Sequence, residues 1–79
     1  MSNRIPPADP VNLSLRDDMI RLGQCLKLAS LVEDGAEAKA LIDHGLVRVN
    51  GDIEERRGRQ LHPGDTIEVN GQTVTLVRG

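Results

Sequence analysis

Hydrophobic and polar positions change their period twice along this chain. Residues 11–15, with the sequence VNLSL, alternate between apolar and polar side chains, which predicts a short half-buried strand. Between residues 19 and 32, apolar side chains recur at steps of three and four, so this segment is predicted as a helix with one buried face. Asp17 and Asp18 precede it, and acidic residues are favoured at helix starts. After Gly45 the period returns to two.

A second helix is predicted over residues 35–44. Asp34 supplies a side-chain acceptor at its start, and Glu37 follows three residues later, the reciprocal arrangement that satisfies free amides at a helix N-terminus. Gly45 stands where a left-handed residue commonly ends a helix. Because only two or three residues separate the predicted helices, they are expected to pack closely. The second helix is expected to bury one face, formed by Ala38, Leu41 and Ile42.

Short alternating segments fill the rest of the chain. Asn50-Gly51 and Asn70-Gly71 predict tight hairpin turns, since both central residues of such turns need positive φ. Pro63-Gly64 predicts a further turn. The predicted fold class is therefore α+β, with two packed helices followed by a small antiparallel sheet and residues 11–15 as an extra N-terminal strand. The predicted strands that follow the helices are residues 47–49, 52–54, 66–69 and 72–77.

The chain divides into an arm and one domain. Residues 1–10 contain three of the four prolines and have no periodic apolar pattern, so they are predicted to form a flexible N-terminal arm. Residues 11–79 are predicted to form a single domain. A domain of this size buries only about 60% of the surface that its unfolded chain exposes, which argues against a large enclosed cavity.

Composition removes several classes of function. The 79 residues include no Phe, Trp or Tyr, so the core must be aliphatic and bases cannot stack on aromatic rings. One cysteine excludes an internal disulfide and a cysteine-based zinc site, and the two histidines lack metal-ligand spacing. No segment is apolar for long enough to span a membrane. We therefore expect a cytoplasmic protein without a metal or another cofactor.

The basic residues carry the candidate chemistry, because the chain as a whole has a formal net charge of −2. Arg56, Arg57 and Arg59 form its one basic cluster, and arginine presents a planar fork of donors that fits phosphate oxygens in pairs. The same arginines could instead pair with Glu54 and Glu55 on an ordinary exposed loop. Composition leaves both interpretations open.

Three further cations could join this cluster if the fold brings them to one side. Arg21 lies near the start of the first predicted helix, Lys39 points away from the apolar face of the second, and Arg48 lies on the outer side of a strand. A phosphate-binding surface would also require the acidic residues to lie elsewhere, since they repel phosphate over about a Debye length.

The order of these segments resembles the RNA-binding domain named after ribosomal protein S4, above all its small free-standing bacterial subfamily. The resemblance spans roughly residues 13–77. The order and spacing of the segments are specific, although no one segment is specific alone. The segments are RLGQCLK at residues 21–27, GAEAKALI at 35–42, GLVRVNG at 45–51, RRGR at 56–59 and PGD at 63–65.

The resemblance implies a compact fold known as the αL motif, in which two helices and a following hairpin loop present basic residues to structured RNA. Gly35 and Ala36 would let a phosphate approach free amides at the start of the second helix. The chain departs from many members at Gly23, where they carry an aspartate. By position, the implied RNA-facing residues are Arg21, Lys39, Arg48, Arg56, Arg57 and Arg59.

The function expected from these features is non-catalytic recognition of structured RNA, either ribosomal or transfer RNA, with the ribosome as one candidate partner. Cys25 lies on an apolar helix face, and nothing in the sequence assembles an acid, a base and a nucleophile, so an enzyme is not expected. One alternative is a protein–protein interaction module that does not bind RNA. Another, a sulfur carrier with a reactive C-terminus, is disfavoured because the chain ends in Arg78-Gly79 and not in Gly-Gly.

Overall fold

The fold combines two short helices with two sheets in a computed structural model that describes residues 11–79. The arm predicted for residues 1–10 lies outside the described residues. The elements in chain order are β1 (Val11–Leu15), β2 (Ile20–Arg21), α1 (Leu22–Leu28), α2 (Gly35–Asp43), β3 (Val47–Val49), β4 (Asp52–Ile53), β5 (Gln60–Leu61), β6 (Thr66–Val69) and β7 (Gln72–Arg78).

The larger sheet has five strands in the order β1-β7-β6-β3-β4. Neighbouring strands are antiparallel, except that β1 runs parallel to β7, with Val11 opposite Val74. The predicted class, two helices with a small sheet and an extra N-terminal strand, is confirmed. The parallel edge makes the sheet mixed, a feature that the prediction lacked because alternation along a strand does not specify its direction.

The first helix is shorter than its apolar pattern predicted. It spans Leu22–Leu28, whereas the prediction covered residues 19–32. At its start, Ile20 pairs with Leu61 and Arg21 with Gln60, which forms the two-stranded β2–β5 sheet. Because of this pairing, the two residues before α1 have an extended backbone and do not join the helix. The strand β5 was missed because its two residues follow a long polar stretch.

The end of α1 is set by a left-handed residue at Ser30, whose φ is 60°. The amide of Ser30 donates to the carbonyl of Lys27 and that of Leu31 to Leu26, the Schellman pattern of hydrogen bonds. Residues 29–34 then join the helices, a longer link than predicted. Leu28, an apolar residue of the predicted helix segment, is the last residue of α1 and is 56% exposed.

The second helix follows its prediction closely. The Asp34 side chain accepts a hydrogen bond of 2.8 Å from the amide of Glu37, and the Glu37 carboxylate accepts one from the amide of Glu33. The predicted reciprocal capping is thus present, with its return bond one residue earlier than expected. Gly45 ends the helix with φ of 70°, as predicted, while Leu41 is only half-buried.

All three predicted turns are present. Asn50 and Gly51 both have positive φ, as do Asn70 and Gly71, so two hairpins close with the expected turn geometry. Gly64 also has positive φ, in a turn closed by the amide of Asp65 donating to the carbonyl of His62.

The core lies between the helices and one face of the larger sheet, and it is aliphatic as the composition requires. Cys25 is fully buried there, and burial raises the pKa of its thiol to about 11, so it is a small core residue and not a thiolate. The other fully buried large side chains are Leu22, Leu26, Ile42, Leu61, Ile67, Leu76, Val47, Val49, Val69 and Val74.

The cap at Asp34 provides a test of the second helix. Replacing Asp34 with Ala removes the acceptor for the Glu37 amide, and we expect the free energy of unfolding in urea to fall by about 1 kcal/mol. The control Asp34→Asn keeps a side-chain oxygen and should retain most of that stability. Equal losses in the two variants would show that the hydrogen bond is not what the helix requires.

Candidate nucleic-acid interface

The arginine loop, defined here as residues 55–59, is tied to the start of α1 by its main chain. The amide of Leu22 donates to the carbonyl of Arg59 at 2.9 Å, and the amide of Gly23 donates to that of Arg57 at 3.0 Å. Within residues 11–79, no side chain caps this helix. Because the first amides of a helix have no partner within it, the carbonyls of the arginine loop take the place of a cap.

Arg21 adds a side-chain contact to the same junction. Its Nη1 donates to the carbonyl of Gly58 at 3.2 Å, which places the guanidinium beside the turn of the arginine loop. The turn itself is closed by the amide of Arg59, which donates to the carbonyl of Arg56. Arg21 and the arginine loop therefore lie on one surface.

A concave groove of about 360 Å³ lies at this junction, between α1, the start of α2 and the arginine loop. The described residues that line it include three cationic side chains and no carboxylate, an arrangement that favours an anionic ligand. The lining residues are Arg21, Gly23, Gln24, Lys27, Gly35, Ala38, Arg57 and Gly58.

Glu54 forms ion pairs with two of the three clustered arginines. Its carboxylate accepts bonds of 3.0 and 3.2 Å from the guanidinium of Arg56 and one of 2.7 Å from Arg59. Only 6% of Glu54 is exposed. Hydrogen bonds from Arg56 and then Arg59 lower the pKa of its carboxyl from 4.5 to about 2. The ordinary interpretation of the cluster, pairing with a nearby glutamate, therefore holds for Arg56 and Arg59.

Arg57 differs from its two neighbours in the arginine loop. Among residues 11–79 it has no ion pair, and its side chain lies across α1 at Gly23 and lines the groove. Of the predicted site residues, Arg21 and Arg57 are thus brought together without a carboxylate partner in the part of the chain that the structure describes.

Lys39 lies on the exposed side of α2 and forms an ion pair with Asp43, one turn further along the helix. The hydrogen bond from Lys39 is the main cause that lowers the pKa of Asp43, and the positive charge of Arg57 acts in the same direction. Asp43 therefore lies within electrostatic reach of both Lys39 and the arginine loop. Lys39 is not among the lining residues, but it lies one helical turn from Gly35, which lines the groove, and its charge is partly offset.

Arg48 is not brought into the groove. It lies on the outer face of the five-stranded sheet, between Ile53 of β4 and Glu68 of β6, whereas Val47 and Val49 face the core and the helices. Its Nη1 donates to the carbonyl of Gly51 at 3.1 Å.

Two lining residues were missed by the sequence analysis. Gln24 and Lys27 follow Arg21 at steps of three and are exposed on α1, so both belong to the polar side of the helix. Their three-residue spacing from Arg21 could have identified them as part of the same surface. The predicted helix began at residue 19, however, so the sequence did not show which residues lie at the true start of α1. Gly35, expected near a bound phosphate, does line the groove, while Ala36 is outside the lining.

A larger depression of about 630 Å³ adjoins the groove and shares Gln24 and Lys27 with it. Its lining includes the apolar side chains of Leu15, Ile20 and Leu28 together with Arg16 and Asp17, so its charge is mixed.

Within residues 11–79, no cluster of three or more His, Cys, Asp and Glu side chains is arranged to hold a metal ion. No helix in the same region is long and apolar enough to cross a membrane.

Comparison with known proteins identifies the family. Residues 13–77 match the S4 domain, so the chain belongs to the S4 domain family, and the resemblance seen in its sequence is confirmed.

Two curated relatives match most of the chain. It is 42% identical over 64 residues to the probable ribosome maturation protein RlbA of Bacillus subtilis, a match that covers 81% of this chain and 87% of the relative. It is 36% identical over 58 residues to the putative RNA-binding protein YbcJ of Escherichia coli, a match that covers 73% and 83%.

The fold has a counterpart among solved structures. The solution structure of Escherichia coli YbcJ, described as revealing an αL motif involved in RNA-binding, matches with a TM-score of 0.61 and 31% sequence identity. The match covers 98% of this chain and 96% of that one. The arrangement implied by the resemblance, two helices and a sheet of the αL-motif kind, is therefore the observed fold.

The lowered pKa of Glu54 predicts how stability depends on pH. Since its folded-state pKa is depressed, Glu54 contributes stability that is full above pH 4.5 and is lost as pH falls toward 2. Urea unfolding across this range should show the loss, and Glu54→Gln should flatten the profile. Asp43 and Asp65, whose pKa values are also lowered, leave a residual slope in the variant. An unchanged profile in Glu54→Gln would contradict the assigned role.

Proposed function

We propose that the chain is a cytoplasmic, non-catalytic module that binds structured RNA through phosphate contacts at the groove. The observation that carries the proposal is the set of three cations, Arg21, Lys27 and Arg57, around one concavity whose described lining has no carboxylate. The names of RlbA and YbcJ, a probable ribosome maturation protein and a putative RNA-binding protein, support the same class of ligand.

Folded RNA fits this surface better than an extended single strand does. Proteins bind single strands mainly by stacking bases on aromatic rings, which the chain lacks. Double-helical RNA is recognised through its shape, its phosphates and its 2′-hydroxyl groups, all of which arginine, lysine and glutamine can contact. Ribosomal RNA is favoured over transfer RNA by the name of RlbA.

The predicted RNA-facing residues divide into groups. Arg21 and Arg57 form the centre of the proposed site. Lys27, which was not among the predicted residues but lines the groove, belongs to the same centre. Lys39 and the Glu54-bound Arg56 and Arg59 flank it, and we propose that they contact neighbouring phosphates. Arg56 retains a 75% exposed side chain although it is paired, so its outer donors remain accessible.

Arg48 is proposed as a contact only for an RNA that wraps around the domain to the outer face of the sheet. Arg48 lies on the face of the five-stranded sheet opposite the core, whereas the groove is lined by the two helices, Arg21 and the arginine loop, so its variant distinguishes a compact footprint from a wrapping one.

Charge reversal at Arg57 and at Arg48 tests the proposal. We expect Arg57→Glu to weaken binding of a fluorescently labelled RNA hairpin at least about tenfold, since a charge-assisted contact is replaced by repulsion. Arg48→Glu, an equal change of charge on the outer face of the sheet, should have a much smaller effect. Fluorescence anisotropy gives both affinities, and circular dichroism verifies the fold.

Salt dependence separates phosphate binding from the protein-interaction alternative. Each phosphate contact adds about 0.9 to the slope of log affinity against log salt for a duplex, so Arg57→Ala should reduce the wild-type slope by about one. A flat dependence, or equal losses in Arg57→Glu and Arg48→Glu, would contradict the proposed site.

A further inference from the structure

Gly23 is an unexpected residue at its place in the fold. It is the second residue of the seven-residue helix α1, it is buried, and its φ is not positive, so its backbone would accept alanine. Glycine destabilises a helix relative to alanine because it loses more conformational freedom on folding. The backbone of Gly23 therefore gives no reason for the absence of a side chain.

The space around Gly23 supplies the reason. A Cβ atom placed on Gly23 would lie 2.8 Å from Cγ of Arg57, closer than real Cβ atoms approach other atoms, and 3.3 Å from Cδ, a tight contact. The backbone of the arginine loop cannot easily move away from α1, because the Gly23 amide donates a hydrogen bond to the Arg57 carbonyl at 3.0 Å. The stem of Arg57 consequently lies directly on the helix backbone.

The other two glycines that line the groove are not crowded in this way. A Cβ on Gly35 would meet nothing within 4 Å, and one on Gly58 would meet only the Nη1 of Arg21 at 3.8 Å, an ordinary contact. Both also lack positive φ. Of the three glycines that line the groove, Gly23 is the one against which the side chain of a proposed RNA-binding residue packs too closely for a Cβ atom to fit.

We propose that Gly23 is a positioning residue for RNA binding: its missing side chain lets the stem of Arg57 lie on α1, which keeps the Arg57 guanidinium in the groove with Arg21 and Lys27. This inference rests on the proposed function and deepens it. Phosphate binding then depends on the contact between Gly23 and Arg57, which sets the position of the guanidinium, as well as on the charges of the groove.

The proposal predicts that stability and affinity change in opposite directions. In Gly23→Ala, the new methyl group must displace the flexible stem of Arg57, while the helix gains a better helix-forming residue. The free energy of unfolding should stay equal or rise, and affinity for the RNA hairpin should fall roughly tenfold, the effect of one charge-assisted contact. A purely structural role would lower both.

The experiment compares Gly23→Ala with Gly35→Ala, which adds the same methyl group to open space on the same groove. Because Gly35 also lines the groove, Gly35→Ala measures what a methyl group in the groove costs without contact to Arg57, and Gly23→Ala should lose clearly more affinity than it does; equal losses would contradict the proposal. In the free proteins, NMR should show a nuclear Overhauser effect between the Gly23 α-protons and the Arg57 γ-protons, which Gly35→Ala keeps. In Gly23→Ala, the corresponding contact from the α-proton of residue 23 should be lost.

A double-mutant cycle with Arg57→Ala completes the test. If Gly23 acts through Arg57, then Gly23→Ala should cause no further loss of affinity when Arg57 is already Ala. A full tenfold loss in that background, unchanged affinity in Gly23→Ala alone, or absence of the Overhauser effect in the wild type would each overturn the proposal. Wild-type protein that fails to bind the hairpin would refute the proposed function, while the Overhauser effect would still decide the contact.

Discussion

The candidate site depends on how the first helix begins. Within residues 11–79, helix α1 has no side-chain cap, and its first two amides are bound by carbonyls of a loop about 35 residues further along the chain. The β2–β5 pairing and the Arg21–Gly58 hydrogen bond join the same two segments. A backbone requirement of the helix thereby fixes the position of the arginine loop, and the side chains that border the groove follow from that position.

The distribution of charge shows how a chain with a net charge of −2 can present a basic groove. Glu54 is nearly buried beneath the arginine loop, where it binds Arg56 and Arg59 and screens part of their charge. Arg57, on the same short loop, lies against α1 at Gly23 and has no ion pair within residues 11–79. Its charge is therefore available to a ligand in the groove. Local electrostatics at a concavity, more than the total charge, determines which ligands such a surface attracts.

The sequence predicted the fold class, the second helix and all three turns, because capping residues and Asn-Gly or Pro-Gly pairs act locally. It overestimated α1, since the pairing of Ile20 with Leu61 depends on residues far apart in the chain. For the same reason it could not separate Arg57 from Arg56 and Arg59, or place Arg48 outside the groove. Residue type and spacing identify candidate cations, but long-range contacts determine which of them share one surface.

Chemical-shift mapping tests the central claim most directly. Titration of the isotopically labelled chain with an RNA hairpin should shift the backbone amides of residues 21–27, Gly35 and residues 57–58, together with the side-chain resonances of Arg57. Amides of β6 and β7, which contribute no residue to the groove, should remain in place. Shifts confined to those strands, or a set spread evenly over the domain, would contradict the assignment of RNA binding to this groove.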